Sequence, residues 1–443
     1  MTDYIAGSMQ LTDTNGTRYD IDNVLIKTRG ATASAYTNKP ALNIKLRTSE
    51  GEELDTDLLG LRKASTFILD AMAIDRINMR NRVAFDIWNE FSRLPYETDF
   101  GSRNGTVGRF VEVHLNGKYK GIYCLSDKIN RKLLDLKKPE VDAGTGEVTI
   151  RGVLYKNGTN DIGNQNNAGY FNDYTVYVAR YHDAWELHEP DDYPSKEAWA
   201  PLVDLYTADN RESYQYVKDH FFLENLADYT IHIMALSISD NWGAKNRYFS
   251  VQNSTKDDDR GKFIITPWDL DCALGGRYDG IYYNGTYSNW SVRDIAKNAP
   301  VPLSPCMGQP EFKELLKKRW LEGSMGPFAV DSVKKRLKDY ADLFIESGAW
   351  KRTIEAKNSH DLTVDDLREE IRMIGEWYEK RFMEMDEYFK ITDAERAEAA
   401  GLIFVADDPE KNTDTIYTIQ GIRVKEITAP GIYIINGKKK IMR

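Results

Sequence analysis

The alternation of apolar and polar residues divides the chain into strand-like and helical stretches before any other property is considered. Residues 15–47 read as strands broken by a small, polar turn, Arg29-Gly30-Ala31-Thr32-Ala33-Ser34. After Lys39-Pro40, the run Leu42-Asn43-Ile44-Lys45-Leu46 sets Leu42, Ile44 and Leu46 on one face and Lys45 on the other. Across 64–94, the spacing of Ile68, Met72, Ile77, Val83, Ile87 and Phe91 predicts one or two helices, closed by Pro95. A hairpin follows, with 107–115 and 119–125 joined by Asn116-Gly117, a dipeptide that accepts the positive φ angles of a tight strand connection. A second strand pair is expected around 148–156, and the Gly- and Asn-rich 157–169 reads as a mobile loop.

The second half is mostly helical. An apolar helix over 221–238 stops just before Ser239-Asp240-Asn241. Strands are expected at 247–252 and 262–268, around the charged loop 256–260. Residues 310–389 are helical in pattern, with heptad-like spacing from 367 to 388. From Gly401 the texture returns to short strands, Thr415 to Ile419 and Gly431 to Ile435. This gives a main α+β domain over 1–395, a linker near 393–400 and a small β module over 401–443.

Composition narrows the classes of function. With 69 acidic and 59 basic residues the net charge is −10, which argues against a nucleic-acid partner, since phosphate backbones are met by concentrated Lys and Arg. A metal–nucleotide is not excluded, because its cation is held by carboxylates. The short basic run Lys438-Lys439-Lys440 reads as a solvated strand end. Cys124, Cys272 and Cys306 fit no zinc or disulfide spacing and are expected to be buried thiols. No stretch approaches the ~18 apolar residues of a transmembrane helix. No charged-then-apolar leader is present either, and the abrupt strand-like opening is compatible with a leader already removed.

Candidate chemistry lies in three places. Asp240 at a helix end, six residues before Asn246, would put a catalytic carboxylate and a metal-coordinating amide on one loop. Asp269 directly follows an apolar strand in Trp268-Asp269-Leu270-Asp271, where a hard oxygen ligand for Mg²⁺ would be held rigidly, with Asp271 two residues on. Each aspartate also suits a plain turn or cap. The order of parts gives them a common purpose: strand, small-residue turn, strand bearing a lysine, helix, hairpin, helix ending in Asp, then strand–Asp. Phosphoryl transfer needs a lysine at the phosphates, a carboxylate orienting the attacking group and another holding the metal.

In this order the motifs resemble the CotH kinase family over roughly residues 10–390. The residues that carry the resemblance are Arg29-Gly30 with Lys39-Pro40…Ile44-Lys45, Asp75 to Arg80-Asn81, Asn116-Gly117…Gly121-Ile122-Tyr123…Leu125, and Leu154-Tyr155-Lys156. Asp240 with Asn246-Arg247-Tyr248, Pro267-Trp268-Asp269-Leu270-Asp271, Arg319-Trp320 and Glu379-Lys380-Arg381 complete the set. The resemblance implies an atypical protein-kinase-like fold, two lobes with a helical C-terminal extension, that transfers the γ-phosphate of ATP to Ser or Thr using Mg²⁺ or Mn²⁺. It implies Asp240 as the catalytic acid, and Asp269, Asp271 and Asn246 at the metal. Arg29 and either Lys45 or Lys156 would face the phosphates, with Asp75 a candidate partner for the lysine. The sequence departs from the family pattern at Asp127, where Glu is frequent, and at Ala31-Thr32-Ala33 in the small-residue turn. These departures support an alternative, a non-catalytic surface or adhesion protein that keeps the fold as a scaffold. The terminal segment, through Ile416-Tyr417…Gly421-Ile422-Arg423-Val424 and Gly431-Ile432-Tyr433, resembles C-terminal β modules of secreted Bacteroides-type proteins. That resemblance implies export to the periplasm or the cell surface.

Overall fold

A computed structural model describes residues 3–30, 39–98, 101–157, 181–182, 185–242, 245–276, 290–300, 302–356, 363–399, 416–418, 423–424, 431–435 and 438–442. The chain divides into two compact units, 1–388 and 389–443.

The first unit is α+β and, among the described residues, contains two large antiparallel sheets and a third of two short strands. One runs in the order β1-β2-β3-β4-β6-β5. Its strands are β1 (Ile5–Thr12), β2 (Arg18–Arg29), β3 (Ala41–Arg47), β4 (Thr66–Asp70), β5 (Gly108–Leu115) and β6 (Lys118–Asp127). The alternation in β3 appears as expected: Leu42, Ile44 and Leu46 are buried, and Lys45 lies on the opposite face. The β5–β6 turn also follows the sequence, with positive φ at both Asn116 (50°) and Gly117 (73°).

The expectation of helix across 64–94 holds only in its second half. Thr66–Asp70 is a strand lying between β3 and β6, and the helix α1 is Arg80–Phe91. An unbroken apolar run, Phe67-Ile68-Leu69, suits a central strand buried on both faces, and periodicity alone does not separate that from a buried helical segment. The strand pair expected around 148–156 is also arranged differently. The short β8 (Val148–Thr149) pairs with β7 (Glu140–Val141), whereas β9 (Val153–Asn157) enters the second sheet.

That second sheet has the order β10-β11-β9-β12-β13. It adds β10 (Tyr181–His182), β11 (Trp185–Glu189), β12 (Arg247–Val251) and β13 (Phe263–Pro267). The loop expected at 157–169 lies outside the described residues from position 158 onward, as do residues 31–38 of the small-residue turn. Helices α2 (Lys196–Thr207), α3 (Tyr214–His220) and α4 (Leu223–Leu236) precede β12, and every residue of α4 from Asn225 to Leu236 is buried. Helices α5 (Pro310–Ser324), α6 (Val330–Glu346), α7 (Ala349–Glu355) and α8 (Val364–Phe389) occupy the region read as helical. Among the described residues, no helix is long and apolar enough to cross a membrane.

In the second unit, β14 (Ile416–Thr418), β15 (Arg423–Val424), β16 (Gly431–Ile435) and β17 (Lys438–Met442) form an antiparallel sheet in the order β15-β14-β16-β17. The stretch read as a linker contains a helix, Asp393–Ala399. Its signal is a capping box: the Glu395 carboxylate accepts from the Thr392 amide, and the Thr392 hydroxyl accepts from the Glu395 amide.

Candidate active site

The site is assembled where α4 ends and β12 begins. Ser237 terminates the helix in the left-handed region (φ 53°), and a single turn of 3-10 helix, Ser239–Asn241, presents Asp240. Its neighbour Asn241 is fully buried and pins the loop in place. The Asn241 side-chain amide donates to the carbonyls of Asn246 (2.8 Å) and Trp268 (2.6 Å), while its main-chain carbonyl accepts from the Tyr229 hydroxyl at 2.6 Å. Asn246 adopts φ 60°, a conformation asparagine tolerates better than most residues, and its amide donates to Asp240 Oδ2 at 2.7 Å. The other oxygen, Oδ1, lies 2.9 Å from the Lys245 ammonium.

Register carries the second aspartate to the same place. Arg247 pairs with Pro267 across β12 and β13, and the Trp268 amide then donates to the Asn246 carbonyl at 2.9 Å. The chain turns at Asp269, where φ is 57°. It is fixed beyond the turn by the Leu274 amide, which donates to the Leu236 carbonyl at 2.8 Å. The Leu270 amide donates to Asn81 Oδ1 (3.0 Å), and the Asn81 side-chain amide donates to Asp70 Oδ2 (2.6 Å). One residue of α1 thus ties the end of β4 in the first sheet to the turn after β13 in the second.

Asp269 and Asp271 both lie within reach of the charges of Asp70 and Asp240. The Asp269 side chain is open to solvent, yet it lies deep enough that lost hydration is the largest influence raising its pKa. The charges of Asp70 and Asp240 raise it further, and those of Arg29 and Lys156 oppose them. Asp271 is pushed well above the carboxylate range by burial and then by Asp269, Asp70 and Asp240. The buried Cys272 thiol is pushed up by burial and by the same acids, so it is not an activated nucleophile. All three cysteines are buried and free, as expected.

Cations face these acids. The Arg29 guanidinium lies 4.7 Å from the centre of the Trp268 ring, and the Lys156 ammonium 6.0 Å from it. Lys156 stands opposite Glu186 in β11 and Tyr248 in β12. Burial lowers its pKa, as does Arg29, while Glu186 and Asp269 hold its proton on. Lys128 is lowered by burial and by Lys45 and Arg29, against the charges of Glu189 and Glu186. Lys45 stands on the outer side of this group, its ammonium 4.6 Å from the centre of the Tyr4 ring.

Of the residues singled out in the sequence, Arg29, Lys156, Asp240, Asn246, Asp269 and Asp271 are therefore brought together, with Lys45 at the margin. Asp75 serves differently. Its carboxylate is buried against Arg80 (2.5 Å) and accepts from the amides of Ile77, Met79 and Arg80, fixing the start of α1. The lysine whose charge it supports is Lys39. Sequence reasoning missed Asp70, because the strand it ends was read as helix. Lys128, Glu186, Asn241 and Lys245 were missed because nothing local marks them. Among the described residues, no three His, Cys, Asp or Glu side chains converge closely enough to enclose a metal ion by themselves.

Lys39 is buried, donating to Asn78 Oδ1 (2.8 Å) and the Ile122 carbonyl (2.5 Å), with its ammonium 4.9 Å from the centre of the Tyr123 ring. Burial lowers its pKa from 10.5 to about 7 against the pull of Asp70 and Asp75. Between pH 7 and 10.5 the unfolded chain therefore holds this proton more often than the folded one, and stability rises with pH across that window. Urea midpoints of wild type and Lys39→Met measured over that range are expected to diverge, with the variant lacking the rise.

The fold and the site define a class: an α+β protein in which acidic loops and strand-borne cations from two antiparallel sheets converge. The family model for CotH kinase protein matches residues 26–385, and the chain belongs to that family. No curated protein matches the chain.

Proposed function

We propose that the protein is a divalent-metal-dependent kinase that transfers the γ-phosphate of ATP to a serine or threonine hydroxyl of a protein acceptor. The observation that carries this reading is the electrostatic division around Asp269. Asp70 and Asp240 raise its pKa, and Arg29 and Lys156 lower it. Acids beside cations are what a metal–polyphosphate requires, since the metal meets the first group and the phosphate oxygens the second.

The donor set fits Mg²⁺ or Mn²⁺. Asp269, Asp271 and the Asn246 amide are hard donors; burial first, and then the charges of neighbouring acids, raise both aspartates, and a divalent cation relieves that repulsion. A closed cage of protein ligands is not needed, because Mg²⁺ is commonly held by one or two carboxylates together with phosphates and water. When bound, the metal neutralises charge on the phosphate oxygens. Asp240 orients the acceptor hydroxyl and takes its proton as the hydroxyl oxygen bonds to the γ-phosphorus. The bond to the bridging oxygen breaks, and ADP leaves with that electron pair. Lys156, partnered by Glu186, is the phosphate-facing lysine in this reading, because it acts on Asp269 while Lys45 acts on Lys128.

In this reading the two sheets belong to a two-lobed kinase-like arrangement, with 310–389 as the helical extension. The β module supports an exported setting, periplasmic or at the cell surface. Thermal unfolding with ATP, with and without Mg²⁺, tests the reading, followed by transfer of labelled phosphate to protein acceptors. Ligand at 100 times its Kd is expected to add about 2.7 kcal/mol only when metal is present. Absence of metal-dependent nucleotide binding overturns the proposal, and binding without transfer to any acceptor favours the scaffold alternative.

A further inference from the structure

Asp240 is engaged on both oxygens before any substrate arrives, by the Asn246 amide on Oδ2 and the Lys245 ammonium on Oδ1. The two donors differ in kind. Asn246 is fixed by its own backbone, which is bonded to Asn157, Asn241 and Trp268, so its amide stays where it is. Lys245 is a point charge on a four-carbon stem, its side chain 28% exposed, and a partly exposed ion pair of this sort is weak.

A carboxylate that must receive a hydroxyl proton is poorly served by an ammonium on the oxygen that receives it. The same ammonium is well suited to a terminal phosphate, which carries more charge than a carboxylate and offers three acceptor oxygens. Of the other cations at the site, Arg29 and Lys156 act on Asp269. Lys245 is the described cation in contact with Asp240, at the acceptor end.

We propose that Lys245 is a catalytic residue with two positions, holding Asp240 Oδ1 in the empty site and moving to the terminal phosphate when a nucleoside triphosphate binds. The move frees that carboxylate oxygen for the acceptor hydroxyl, so the base becomes available only once the phosphoryl donor is in place. The inference rests on the kinase reading above, and it adds a residue and an order of events to it.

Calorimetric titration of the full chain with a non-hydrolysable ATP analogue and with ADP, each with Mg²⁺, separates the possibilities. Lys245→Met is expected to weaken the analogue about tenfold, the loss of one charge-assisted contact, and to change ADP by less than about twofold. Unchanged ADP binding also shows that the variant is folded. Asp240→Asn, which releases the ammonium, is expected to tighten the analogue more in the wild-type background than in Lys245→Met. Equal losses for both nucleotides, or the same Asp240→Asn gain in both backgrounds, overturn the proposal and leave the kinase reading intact. A wild-type protein that binds neither nucleotide overturns the kinase reading, and this proposal with it.

Discussion

Asp269→Asn is expected to lower phosphate transfer by about a thousandfold while leaving the empty protein at least as stable as the wild type. In the kinase reading the loss follows from removing a charged oxygen assigned to the metal–phosphate, an effect in the range of deleting a preorganised electrostatic contact. Asn is the substitution of choice because position 269 has φ 57°, which Asn accepts and Ala would strain. The stability half of the prediction follows from linkage. The folded-state pKa of Asp269 lies above its ordinary 3.8, so the folded protein holds that proton more often than the unfolded chain does. Its contribution is fully present below 3.8 and is lost as pH rises through the raised value. In Asp269→Asn this part of the decline disappears, and thermal midpoints recorded across the acidic range would show a flatter curve. A wild-type slope in the variant would mean that Asp269 is not one of the strained carboxylates.

The second large effect concerns folding. Asp75→Ala is expected to destabilise the protein by about 3–5 kcal/mol, the range for breaking a buried ion pair from one side. Both side chains of the Asp75–Arg80 pair are wholly buried, and the same carboxylate accepts three backbone amides at 2.7–3.2 Å. Without it the start of α1 loses its acceptor, and Arg80 keeps Glu370 at 3.6 Å. A urea midpoint close to wild type would show that water or rearrangement replaces the carboxylate.

Much of this was legible before the structure. Alternation placed Leu42, Ile44 and Leu46 in the core, and Asn116-Gly117 marked its hairpin without help from tertiary contacts. The acid residues Asp240 and Asp269 could be picked out because each follows closely on an apolar element, so its place in space follows from the element's. What could not be read depends on pairing between distant strands. Glu186 meets Lys156 through register between β11 and β9, and no local pattern encodes that register. Asp70 was hidden because Phe67-Ile68-Leu69 is equally apolar as strand or helix. Asp75 looked like a partner for a phosphate lysine, since a lone acid gives no sign that an arginine five residues on will be buried with it.

Asn81 donates to Asp70 and accepts from the Leu270 amide, so the acids of the two sheets are joined through a single side chain. In the proposed kinase, that side of the site would move as one mechanical piece when a nucleotide enters. Separation between its charges is set once, when the sheets dock, instead of being searched for at every encounter. The work of bringing repelling carboxylates together is thereby done by folding, before any ligand binds.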